Sequence, residues 1–157
     1  MDKITTFLWF DGQAEEAARF YVTLLPGSRI DPVNRAPLDY PAGKAGDVLT
    51  VEFTLAGRSF VAMNGGPAFR FNEAVSLQIA CEDQAEVDRL WAMLGEGGAP
   101  NACGWVKDRF GLSWQVTPRR LTELLAGSGE TAKRTMAAMM QMGKIDIQAL
   151  ETAVAGP

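Results

Sequence analysis

The chain has 157 residues, 47% of them apolar and 22% charged, the balance of an ordinary globular domain. It contains no histidine, which removes the commonest general base and transition-metal ligand and leaves carboxylates, amides, hydroxyls, Lys/Arg, two cysteines or a cofactor for any chemistry. Fifteen basic residues against 19 acidic ones give a net charge of −4, so no basic surface offers itself to a phosphate backbone, and no nucleic-acid partner is expected.

Residues 3–10 are rich in β-branched and aromatic side chains and predict a strand. This run is too short for a membrane span of about 20 residues and lacks the basic start and cleavage site of a signal peptide. No membrane association and a cytoplasmic location are expected. Asp11-Gly12 ends the strand and offers a helix cap. From Ala14 the small and apolar positions Ala14, Ala17, Ala18, Tyr21, Leu24 and Leu25 trace one face of an amphipathic helix that stops at Pro26-Gly27.

A strand over 28–35 and a Pro/Gly-containing loop over 36–47 follow. Val48–Leu55 alternates strictly, with Leu49, Val51, Phe53 and Leu55 opposite Thr50, Glu52 and Thr54, as in a half-buried strand. Ala56-Gly57-Arg58 turns it into a second strand over 59–64, a hairpin. A loop then runs from Gly65-Gly66-Pro67 to Asn72. Residues 74–81 alternate again, with Val75, Leu77, Ile79 and Cys81 on one face.

Asp83-x-x-Glu86 caps a second helix carrying Val87, Leu90, Trp91 and Leu94, which ends before Gly97-Gly98. Residues 104–108 and 112–117 form another hairpin, closed by Pro118. The remainder is helical: Leu121, Leu124 and Leu125 in one helix, Met136, Met139 and Met140 in another, and a last helix capped at Asp146 with Ile145 stapled to Leu150. Cys81 and Cys103 form no C-x-x-C pattern, so reduced thiols are expected.

This order repeats. Gln13-Ala14-Glu15 recurs as Gln84-Ala85-Glu86, and at the same offset Phe20 meets Trp91 and Gly27 meets Gly98; Gly57-Arg58-Ser59-Phe60 resembles Gly111-Leu112-Ser113-Trp114. The expected fold class is therefore α+β, with paired βαβββ modules at about 3–64 and 74–118 and C-terminal helices over 119–155. The whole of 1–157 is read as a single domain.

Paired βαβββ modules are the architecture of the vicinal oxygen chelate family of glyoxalases, extradiol dioxygenases and bleomycin-resistance proteins. The strings Phe7-Leu8-Trp9-Phe10-Asp11-Gly12-Gln13-Ala14-Glu15-Glu16-Ala17, Met63-Asn64-Gly65-Gly66-Pro67 and Cys103-Gly104-Trp105-x-Lys107-Asp108-x-Phe110-Gly111-Leu112-Ser113-Trp114-Gln115 resemble its PhnB-like subgroup, as does the tail Met139-Met140-Gln141-Met142-x-Lys144-Ile145-Asp146. The resemblance implies curled, glyoxalase-like mixed sheets whose concave face forms a cavity, and a homodimer. It also implies a departure, because the subgroup commonly has a histidine where Ala68 stands. Members often carry the description 3-demethylubiquinone-9 3-methyltransferase. A methyltransferase of the usual kind needs a Gly-rich loop between a first parallel strand and a helix, and this chain has none.

In that family the concave face holds a divalent metal on His, Glu or Gln. Here the polar strand faces supply Glu52, Gln78 and Gln115, with Asn64 at a strand end. One carboxylate among neutral amides is a poor transition-metal site, so no metal or other cofactor is expected, although oxygen ligands suit weak Mg²⁺ or Mn²⁺ binding. The alternative is that these are ordinary polar residues on an open sheet face. Phe69, Phe71 and Trp105 are expected to line the pocket and stack on a planar or apolar ligand. Cys103 takes its place at the cavity from the family string, against the alternative of an inert buried thiol.

Glu52 is the best acid–base candidate, on the premise that desolvation raises its pKa; the alternative is an ion pair with Arg58 or Arg70. The function expected is small-molecule binding. A metal-dependent lyase, isomerase or dioxygenase-like enzyme is the alternative, and a methyltransferase follows behind it.

Overall fold

Alternation along a strand demands a partner for one face only, and in both modules a helix supplies it. The computed structural model describes residues 3–127 and 129–156, which form two units, one running to Phe71 and the other from Asn72.

The first unit comprises β1 (Thr6–Phe10), α1 (Ala14–Tyr21), β2 (Arg29–Arg35), β3 (Val48–Leu55) and β4 (Arg58–Asn64). Its sheet has the order β1-β4-β3-β2, with β1 parallel to β4 and the other pairs antiparallel. α1 lies on β3 and β4. Its buried Ala14, Ala17, Ala18 and Tyr21 meet a sheet face carrying Val51, Phe53 and Ala62, with Tyr21 and Phe53 rings 6.1 Å apart. Ala56 and Gly57 both adopt positive φ (47° and 82°), the backbone of a two-residue hairpin turn whose twist matches the flanking strands.

The second unit repeats the plan with β5 (Ser76–Cys81), α2 (Gln84–Gly95), β6 (Ala99–Pro100), β7 (Trp105–Lys107) and β8 (Ser113–Pro118). Its order is β5-β8-β7-β6, again parallel only between the first and last strands of the module. The duplication seen in short sequence matches is thus a duplication of topology. α2 covers the sheet through Val87, Leu90 and Leu94, over a face holding Val106, Trp114 and Val116. After it, α3 (Arg119–Leu125), α4 (Gly129–Met139) and α5 (Ile147–Ala155) pack on one another around Leu121, Leu124, Ile145 and Leu150.

The α+β class with two mixed sheets and added C-terminal helices is the observed one. Boundaries differ in instructive ways. β1 starts at Thr6 rather than residue 3. α1 ends at Tyr21, where the Thr23 hydroxyl donates to the Phe20 carbonyl (2.6 Å) in a turn that still buries Leu24. Asp11-Gly12 does not cap α1; the Asn64 side-chain oxygen, remote in sequence, accepts from Ala14 N at 2.9 Å. β5 starts at Ser76 and leaves Val75 exposed, because Asn72 closes an Asx turn onto Ala74 N. β6 carries no sequence signal, being two residues with a proline on a sheet edge. Asp83 and Asp146 cap their helices as expected, accepting from Glu86 N and Ala149 N at 2.9 Å each.

Candidate functional site

Each sheet has a second face turned away from its helix, and strand register fixes what it presents. In the first unit Phe7, Val61 and Glu52 are cross-strand neighbours in one row of β1, β4 and β3. In the second unit the equivalent row is Gln78, Gln115 and Trp105 on β5, β8 and β7. Four of the residues singled out from sequence therefore occupy equivalent rows of two sheets. The row is mostly apolar in one module and carries two amides and an indole in the other.

Within the first unit the predicted residues do not converge on one centre. Glu52 is exposed, so the desolvated setting expected of it is missing there. Its carboxylate accepts from the Asn34 amide at 3.2 Å, and no ion pair with Arg58 or Arg70 forms among the described residues. Asn64 is 9% exposed, and both ends of its amide are committed to backbone: Oδ1 to Ala14 N, Nδ2 to the Val48 carbonyl (3.0 Å). It ties the start of α1 to the start of β3, a structural duty that the sequence did not reveal. Phe69 is 66% exposed and meets the Trp9 ring edge-on at 5.0 Å, while Phe71 meets Phe10 at 5.2 Å. Both rings pin the 65–71 segment to β1. Trp9 completes the clamp, donating its indole N–H to the Gly66 carbonyl (2.8 Å) and lying so close to Gly65 that a Cβ there would overlap the ring.

The second unit gathers more. Trp105 and Gln115 are half-buried and adjacent across β7 and β8; the Gln115 amide donates to Ser76 Oγ at 2.9 Å, and Gln78 is exposed beside it. One step along the same face lie Lys107 and Ser113, themselves a register pair. A groove of about 90 Å³ opens here, lined among others by Trp105, Lys107, Ser113, Asn101 and Glu73. Glu73 forms an ion pair with Lys107, whose donated hydrogen bond holds the Glu73 carboxyl below its ordinary pKa. Lys107 and Ser113 were missed as site residues, although strand parity with Trp105 and Gln115 was the signal that identifies them.

Cys103 is half-buried in a left-handed conformation (φ 59°) at the entry to β7, where its N–H donates to the Met142 carbonyl at 2.8 Å. Lys107 is engaged with Glu73 rather than with this thiol. Cys81 is buried, and burial followed by the nearby Glu86 charge pushes its thiol up to about 12. Asp108, 3% exposed, accepts from Phe110 N, Leu112 N and the Trp114 indole at 2.8–3.1 Å and so locks the β7–β8 turn.

The donor set does not fit the divalent metal of the fold. Among the described residues no three His, Cys, Asp or Glu side chains stand together as ligands, and the two rows offer amides, rings and one exposed carboxylate. No described helix is long and apolar enough to cross a membrane.

Residues 2–117 match the protein family described as 3-demethylubiquinone-9 3-methyltransferase. Among solved structures, the chain is similar to one described as a PhnB protein from Bacillus cereus, with 37% identity, 74% of this chain and 99% of that chain covered, and a TM-score of 0.68. A protein from Pseudomonas aeruginosa is similar in fold, with 22% identity, 75% and 98% of the two chains covered, and a TM-score of 0.61. No curated protein matches the chain. α3, α4 and α5 lie beyond the family match.

Proposed function

Because the chain belongs to the PhnB-like family of the vicinal oxygen chelate superfamily, we propose that it binds a small apolar or planar molecule on the open face of its second sheet, without a histidine-held metal. The observation that carries this reading is the row Trp105–Gln115–Gln78, a half-buried indole beside two amides with a groove at its side. An indole face supplies stacking area, and amides orient a polar substituent. Glu52 receives no acid–base role in this reading, since it is exposed and bound to Asn34. We further propose a cytoplasmic homodimer.

The metal-dependent lyase, isomerase or dioxygenase reading draws less support, because no group of three His, Cys, Asp or Glu side chains stands together among the described residues. The methyltransferase reading would need a glycine-rich loop between the first strand and helix of a doubly wound parallel sheet. Both sheets here are four-stranded and mixed. The test is native mass spectrometry of the protein purified without chelator, paired with the Trp105→Leu variant. A small organic mass that accompanies the protein and is lost in the variant is expected. Retention of that mass in the variant, or stoichiometric metal in its place, would sink the reading.

A further inference from the structure

The groove beside Trp105 has a chemical polarity of its own. Ser113 is 2% exposed, yet its hydroxyl has no hydrogen-bond partner among the described residues. Among the described residues no fully enclosed side-chain polar atom lacks a partner, so that hydroxyl opens into the groove it lines. Lys107 is the register partner of Ser113 on the neighbouring strand and lines the same groove. A donor hydroxyl and a cation lining one small depression make an anion cradle.

Lys107 already has a partner in Glu73, but this pair is loosely held. Its side chains are 37% and 53% exposed, and ion pairs so open to water contribute little and exchange readily. A groove of about 90 Å³ is too small for a whole drug-sized ligand and large enough for a head group, with Trp105 at its rim to take the remainder.

We propose that Lys107 and Ser113 bind the carboxylate head of a planar or aryl carboxylate whose ring lies on Trp105, and that Glu73 is the internal anion the ligand displaces. This rests on the open-face reading and names the ligand class for it. A carboxylate accepts from the Lys107 ammonium and the Ser113 hydroxyl together, while Glu73 swings to solvent. A cationic ligand would instead be drawn to Glu73 and repelled by Lys107, so the two charge classes have opposite mutational signatures.

The experiment titrates the intact protein with benzoate, its neutral counterpart benzamide and the cation benzylammonium, reading Trp105 as the fluorescence change absent in Trp105→Phe. Benzoate is expected to bind, benzamide and benzylammonium about tenfold more weakly, roughly the ~1.4 kcal/mol of one charge-assisted contact. Lys107→Gln should weaken benzoate by about the same factor, Ser113→Ala severalfold, and Glu73→Gln should tighten it severalfold. Equal binding of benzoate and benzamide, with Lys107→Gln silent, would overturn the anion cradle and leave the open-face reading standing. Benzoate binding that needs Lys107 but survives Trp105→Leu, followed by ligand-detected NMR, would keep the cradle and overturn the open-face reading. A preference for benzylammonium, weaker benzoate binding in Glu73→Gln, or no response to any probe at millimolar concentration would each overturn the inference.

Discussion

At the scale of single residues, the polar groups divide into those that serve the chain and those left for something else. Asn64 serves the chain. With its amide bonded to Ala14 N and the Val48 carbonyl, Asn64→Ala strands one buried and one half-buried backbone group and is expected to cost about 1–3 kcal/mol in urea unfolding; no change in midpoint would contradict that role. Cys81 gives a pH test. Its folded pKa of about 12 lies above the unfolded thiol value, near 8.5, so the neutral thiol's contribution is fully present below the unfolded pKa and is lost as pH rises toward 12. Stability should fall from about pH 9 upward in wild type and fall less steeply in Cys81→Ala. Glu73 behaves oppositely: its depressed pKa means that the pairing with Lys107 stabilises above the unfolded carboxyl pKa and is lost as pH falls through the folded one.

At the scale of elements, one side chain, Gln84, makes several of the bonds that tie the C-terminal helices to the second module. Gln84 Nε2 donates to the Ile145 carbonyl (3.0 Å) and to Asp88, while its oxygen accepts from Ile147 N (2.9 Å). Lys144 adds a 2.7 Å pair with Asp88 and holds that carboxyl below its usual pKa. Gln84→Ala should speed amide exchange at Ile147 and cost about 1–2 kcal/mol; unchanged protection there would show that packing alone holds α5.

This tie was invisible in the sequence, where Gln84 reads only as part of a repeated helix start. The elements themselves were legible because Val48–Leu55, α2 and the Asp83 and Asp146 caps follow local periodicity and capping rules. The duplication was legible from turn and cap matches. The roles of Asn64, Phe69 and Phe71 were not, since each is set by a partner far along the chain or by a loop folding back on β1. Alternation put Gln78 and Gln115 on the polar strand face, where they share a row, but did not join Trp105 to them and said nothing about which neighbours would find partners of their own.

At the scale of the whole molecule, apolar side chains remain uncovered in both units: Phe7 and Phe69 in the first, Met136 on α4 and Met140 just past its end in the second. Met136 and Met140 are one turn apart, as the Met140 N–H to Met136 carbonyl bond (3.0 Å) shows, so they share one flexible, polarizable face. The proposed homodimer covers such surface, and multi-angle light scattering at micromolar concentration should give twice the 17.0 kDa chain mass. A monomer mass would refute it. Replacing Met136 and Met140 by Lys tests whether that face takes part, through a shift toward monomer with the fold retained.

The two equivalent rows also bear on how such a protein acquires new chemistry. In each sheet the register is held by main-chain bonds and by the helix-side core, so the exposed members of the opposite row, Phe7 in one sheet and Gln78 in the other, can change without disturbing the scaffold, whereas Val61 is buried. Phe7 and Val61 are the counterparts of Gln78 and Gln115. The molecule thus carries one plan written in two alphabets, and the exposed end of its apolar row is one substitution, Phe7→Gln, from matching its counterpart, with the frame that would hold it already built.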